Sequence, residues 1–319
     1  MKRIAIVATI LTVATGCDKL KAVAGSSANA APAPVVDALD LTQHPDILFQ
    51  VFGERGDTRI IPLAALRDGA IKPINLTPDG WHQFANQYEK SGTSYKLYDN
   101  GREVGAATVK QGMWEKPNAP LYKLPNCKVL IPLATVTLNT RVDLGYTVDL
   151  LASSARIAPP AAGPVLAAAE LKRIARELGY RVGEGEGMSR KAVDRLEFRS
   201  FAVYTGATSA PTVIASFIDG GSDGTDDAQS RHIFVIADRK DGSEYAPTFS
   251  HAFAAATDND EYRVYLNHLD LTGDGVQEIL VEARQVGGGA SVTVLSYQNE
   301  GWVEVFRSRS GWCLDSGEN

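Results

Sequence analysis

The sequence contains no apolar run of about 20 residues, which excludes a permanent membrane-spanning helix and leaves a body expected to fold in water. It also lacks a basic cluster. Its 32 Lys and Arg stand against 38 Asp and Glu, an acidic excess that argues against nucleic acid as a partner. Histidine is scarce: His44, His82, His232, His251 and His268 show no spacing that would hold a transition metal. His268, two residues before Asp270, reads as a hydrogen-bonded structural side chain. Cysteine is scarcer, with Cys17, Cys127 and Cys313 only. The one formal match to a nucleophile motif, Gly220 to Gly224 around Ser222, lacks the following helix that holds such a serine on a strained turn. It reads as a hairpin loop. The Gly-rich "VGGGAS" (286–291) joins two strands, so it lacks the helix N-terminus that a phosphate cradle needs.

The start of the chain supplies what the body does not. Lys2 and Arg3 precede a short apolar run, Ile4 to Val13, and small residues lead into Cys17, the layout of a secretory signal. The ending "ATGC" resembles the bacterial lipobox, with Ala14 where Leu is more usual. That resemblance implies removal of residues 1–16, acylation of Cys17 and a membrane tether, because each buried methylene contributes about 0.8 kcal/mol. The alternative is an ordinary signal peptide with a chance Cys at its end. Asp18 occupies the position that, in enterobacterial lipoproteins, marks retention in the inner membrane. The resemblance therefore implies the periplasmic side of a bacterial envelope, inner membrane ahead of outer. Loss of Lys2 and Arg3 with the leader would take the net charge from −6 to near −8. Cys127 and Cys313 would remain as an even pair in an oxidising compartment. A bridge between them is worth at most roughly 5 kcal/mol on the chain-entropy model; two free thiols fit the spacing equally well.

Composition divides the remainder. Residues 17–42 are rich in Ala, Ser and Pro and read as a tether. Residues 43–157 carry short β-branched and aromatic runs between Gly, Pro and Asn, as expected of a β-rich domain, and Asn100-Gly101 predicts a type I′ hairpin. Thr77 is expected to cap a short helix with Trp81, Phe84 and Tyr88 on one face. Residues 158–319 open on the joint "APPAAGP" (158–164). An amphipathic helix follows, with Leu171, Ile174, Ala175 and Leu178 on its stripe, Pro164 near its start and Gly179 as its stop. "GEGEG" (183–187) is then a connector. Beyond it the sequence repeats: Thr205-Gly206 falls on Thr272-Gly273, and Val213-Ile214-Ala215 on Ile279-Leu280-Val281. A period of about 67 residues suits four-stranded antiparallel blades.

In the second copy, Asp270, Thr272, Asp274, the Val276 carbonyl and Glu278 alternate around Gly273 and Gly275. Oxygens in that alternation suit a hard cation, which takes six to eight of them. An EF-hand is excluded, since its twelfth position is Val281 inside strand-like sequence. The stretch resembles the calcium loop of FG-GAP and VCBS-type repeats, as in integrin-like β-propellers, with Thr272 departing from the pattern. The resemblance implies a weak structural calcium site and a partial β-propeller. The alternative is a solvated β-turn, where Asp and Gly are preferred in any case. Asp219, Asp223 and Asp227 form a second, poorer acidic series. The expectation is thus a mostly β, lipid-anchored envelope protein with one amphipathic helix and two propeller-blade-like repeats. It would act as a non-catalytic interaction or scaffold module for an envelope protein or polysaccharide. The alternative function is a periplasmic hydrolase with its site between the two domains.

Overall fold

The computed structural model describes residues 39–114, 132–143, 145–219, 230–239, 244–286 and 288–308. Cys17, Cys127 and Cys313 lie outside these residues, and the lipidation and disulfide expectations with them. So do the Gly220–Gly224 motif, Asp223 and Asp227.

Seven antiparallel strands occupy the first half: β1 (Asp46–Glu54), β2 (Asp57–Arg67), β3 (Ala70–Lys72), β4 (Ser94–Asp99), β5 (Arg102–Gly112), β6 (Ala134–Thr140) and β7 (Thr147–Ser153). Their order is β1-β7-β4-β5-β6-β2-β3, and β1 also pairs with β2. Six strands therefore close into a barrel-like sheet, which leaves them no free edge. Side-chain alternation decides what lies inside: Ile47, Phe49 and Val51 of β1 meet Tyr95 and Leu97 of β4, Val109 of β5 and Leu150 of β7. Helix α1 (Pro78–Tyr88) packs into the same core through Trp81, Phe84 and Tyr88. The Thr77 hydroxyl caps it, accepting the Gly80 N–H at 3.1 Å, as the sequence predicts. The hairpin turn also follows the prediction: Asn100 and Gly101 both have positive φ, 46° and 76°.

Beyond the Pro-rich joint come α2 (Ala168–Gly185), the single turn α3 (Arg190–Val193) and two four-stranded meanders. The first meander is β8 (Glu197–Val203), β9 (Thr212–Ile218), β10 (His232–Arg239) and β11 (Tyr245–Phe253). The second is β12 (Glu261–Leu269), β13 (Glu278–Gln285), β14 (Ala290–Gln298) and β15 (Gly301–Arg307). Each sheet is antiparallel with its strands in chain order, as the internal repeat suggests. The layers stack. Helix α2 lays Ile174, Ala175 and Leu178 on Val213, Phe217 and Val235 of the first sheet. The opposite face of that sheet, with Ile214, Phe234 and Ile236, meets Tyr265, Ile279, Val281 and Trp302 of the second. The far face of the second sheet, with Leu269, Leu280 and Val294, meets Leu48, Leu63, Leu66 and Leu151 on the outside of the barrel. Strand β10 is apolar along nearly its whole length because both its faces are covered. At about 1.5–3 kcal/mol per buried side chain, the barrel seam outweighs any hinge freedom the joint offers, and the barrel, the two sheets and α2 form one compact unit.

Of the described residues 50% are strand and 15% helix, hence mostly β, with the two expected helices, α1 and α2, joined by a third, α3. The main helix also differs from its expected limits. It begins at Ala168 and runs through Gly179 to Gly185, consuming part of the expected connector. Gly179 is not a stop signal. A Cβ there would lie 2.4 Å from the Phe217 ring, so the missing side chain lets the helix sit close on the sheet. Close packing on β9 outweighs the helix penalty of glycine, about 1 kcal/mol.

Candidate functional site

The acidic loop, residues 270–277, joins β12 to β13. Its carboxylates face its own backbone. Asp270 accepts the Gly273 N–H at 2.6 Å and the Gly275 N–H at 3.1 Å, and Asp274 accepts the Val276 N–H at 2.8 Å. Glu278 is buried, 1% exposed. It accepts the Leu271 N–H at 2.8 Å and the Thr272 hydroxyl at 3.2 Å. Burial pushes its carboxyl up to about 7, with the Asp274 charge adding to the rise and the Leu271 N–H opposing it. Among the described residues no three His, Cys, Asp or Glu side chains assemble as a metal set. The carboxylate oxygens of Asp270, Asp274 and Glu278 accept backbone N–H groups of the loop. The loop is also wedged between neighbours: Gln277 donates its N–H to the Thr205 carbonyl at 2.8 Å, in the equivalent loop of the first meander. A Cβ on Gly69, between β2 and β3, would lie 3.0 Å from the Thr272 carbonyl oxygen.

The first meander holds a different buried carboxylate. Asp238, at the end of β10, is 3% exposed. It accepts the Thr212 hydroxyl at 2.7 Å, the Thr248 hydroxyl at 2.5 Å and, from the second sheet, the Trp302 indole N–H at 2.8 Å. Such a group is sustained in the interior by its full set of donors. Trp302 is accordingly a seam residue, as Trp81 is a core residue.

The histidines are structural where their bonds are described. His232 donates Nδ1–H to the Phe217 carbonyl at 3.0 Å and accepts the Arg263 N–H on Nε2 at 2.9 Å. That neutral tautomer agrees with the descent of its pKa to about 3, caused first by burial. His268 Nδ1 meets the Tyr265 hydroxyl at 2.5 Å, and burial with the nearby Arg102 charge holds its pKa down to about 4. Its Nε2 lies where a Cβ of Gly101 would be, 2.6 Å away. Its neighbour Asn267, at a bulge in β12, clamps the barrel hairpin. It accepts the Gly101 N–H at 2.9 Å and donates to the Tyr98 carbonyl at 3.1 Å.

Beside this clamp the structure opens into a groove of about 1020 Å³. The hairpin supplies Arg102, the chain after β7 supplies Arg156 and the Pro-rich segment, and the first meander supplies Ser200–Tyr204. Arg102 and Arg156 are exposed. Neither has an ion partner among the described residues, whereas neighbouring Glu103 is neutralised by Lys96 at 2.5 Å. The Tyr204 ring packs on the backbone of Gly163, closing one wall. Linear sequence does not connect these residues, for they are drawn from positions 102, 156 and 200–204 and meet only through the seam. The sole local signal is Arg102 immediately after the Asn-Gly turn. Comparison with known proteins finds no matching family model, no matching curated protein and no matching solved structure.

Proposed function

We propose that the chain is a lipid-tethered envelope protein whose folded body binds a partner without catalysis, in the groove beside the barrel hairpin. One observation carries the reading: two exposed guanidiniums without ion partners among the described residues flank a partly apolar wall in an open groove, on a chain whose net charge is negative. Local positive charge on an acidic body selects an anionic ligand and disfavours most of its surroundings. The tether rests on the lipobox resemblance at Cys17. The two meanders, stacked face to face with equivalent loops in contact, support a propeller-blade-like reading. Here the barrel and α2 cover the outer faces in place of further blades.

Calcium at Asp270, Thr272, Asp274, Val276 and Glu278 is the second reading of the acidic loop, supported by the positive φ of Gly273 and Gly275 that winds it. An ion there would compete with the N–H groups these oxygens now accept. The hydrolase alternative would use the same groove with His268 as its base. A pKa near 4 makes that imidazole a weak base at neutral pH.

Two measurements test the proposal. Cys17→Ser is expected to move the protein from the membrane fraction to the supernatant. The unlipidated body is expected to bind the anionic, apolar dye anilinonaphthalene sulfonate saturably at one site, about tenfold more weakly in Arg102→Glu/Arg156→Glu. Retention of Cys17→Ser in membranes would remove the tether, and dye binding indifferent to both arginines would remove the groove.

A further inference from the structure

Five consecutive residues, Ser200 to Val203 of β8 and Tyr204 just past its end, line the groove. Side chains of a strand alternate between its two faces, so a cleft lying on one face would meet every second residue. Consecutive lining means that the groove runs along the edge of the strand. Among the described residues that edge is open: β8 is the terminal strand of its sheet and pairs with β9 alone. The facing wall includes Pro159, Pro160 and Pro164. These have no N–H to donate, so this wall is poorly suited to pair with β8, and no backbone hydrogen bond joins the two among the described residues. An unpaired edge is ordinarily protected by charge, by a bulge or by a covering segment. Here it faces a cavity that also holds Arg102 and Arg156, which have no ion partner among the described residues.

We propose that the groove takes an extended, acidic segment of a partner protein, which pairs with β8 as a fifth strand of the first meander and sets its carboxylates against Arg102 and Arg156. Main-chain pairing supplies affinity, and side chains at alternate positions supply specificity. One side of the incoming strand meets the half-buried Phe201, so alternation of apolar and acidic residues suits both surfaces. This inference rests on the groove reading above and narrows it from any anion to a peptide strand.

The test uses the unlipidated Cys17→Ser body and a labelled peptide of alternating valine and glutamate. It is compared with the same peptide carrying lysine for glutamate, and with two versions N-methylated on alternate residues in opposite phase. The acidic peptide is expected to saturate at one site and displace the dye, and the lysine version to bind about tenfold more weakly. Methylation in one phase is expected to weaken binding about tenfold while the other phase leaves it unchanged, because only alternate residues bond to β8 and the valine–glutamate pattern holds the register. Arg102→Ala/Arg156→Ala, changes at exposed positions, is expected to weaken the acidic peptide about tenfold. Equal effects of the two methylation phases overturn strand pairing, and equal binding of the lysine peptide overturns the charge match. A body that binds the dye but no peptide, or an acidic polysaccharide in its place, keeps the groove and loses the strand. A body that binds neither loses both.

Discussion

The two meanders solve one problem with opposite placements of a carboxylate. The repeat alignment sets Thr212, the first residue of β9, against Glu278, the first residue of β13. In the first sheet the buried acid is Asp238 on the adjacent strand, and Thr212 donates to it. In the second sheet the acid is Glu278 itself, and its donors come from the loop before it. Asp238 has three donors, one of them across the seam; Glu278 finds its donors locally, in the Leu271 N–H, the Thr272 hydroxyl and its own N–H. A third buried carboxylate, Glu89 at the end of α1, has no hydrogen-bond partner on either oxygen among the described residues. Burial holds its pKa well above the ordinary range. The series teaches that this fold buries carboxylates with very different sets of donors, and that burial raises the pKa of the two that lack the Asp238 set, Glu278 and Glu89.

The comparison breaks first at Asp238. Asp238→Ala strands the Trp302 indole, Thr212 and Thr248 donors and is expected to cost about 3–5 kcal/mol in urea unfolding; a loss below about 1 kcal/mol would detach the seam from this network. Glu278 sharpens it through pH. Its folded pKa of about 7 lies above its ordinary 4.5, so its contribution is complete below the ordinary value and is lost as pH rises through the folded one. Wild-type stability should therefore carry a decline between those limits, of order 3 kcal/mol at most, that is absent in Glu278→Gln. Denaturant titrations at stepped pH read the difference, and parallel curves would refute the assignment. Glu89→Leu replaces an acid without donors by an apolar side chain and should gain about 1–2 kcal/mol near neutral pH; a loss would reveal an undetected partner. The smallest effect belongs to Asp274→Ala, about 0.5–1 kcal/mol for one turn hydrogen bond. On the protein-only reading of the loop, added calcium shifts the melting temperature of wild type and Asp274→Ala alike. A rise confined to wild type would restore the ion.

Local features were legible where the physics is local. The Thr77 cap, the Asn100-Gly101 turn, the β-rich halves and the internal repeat each depend on residues close in the chain. Gly179 misled because a glycine that ends a helix and a glycine that lets a helix approach a sheet look alike in one dimension. The acidic loop kept its two readings because carboxylates that bind a cation and carboxylates that accept backbone N–H share one spacing.

Sequence alone determined the alternating strands, the turns, the capped helix and the doubled meander, since periodicity and backbone preference act over a few residues. Tertiary structure alone decided that the barrel, the second sheet, the first sheet and α2 stack in that order. It thereby brought Arg102, Arg156 and the open edge of β8 to one groove. The reason is that apolar faces say only that they must be covered; which face covers which is settled by the shapes that meet, and the groove is what those shapes leave unfilled.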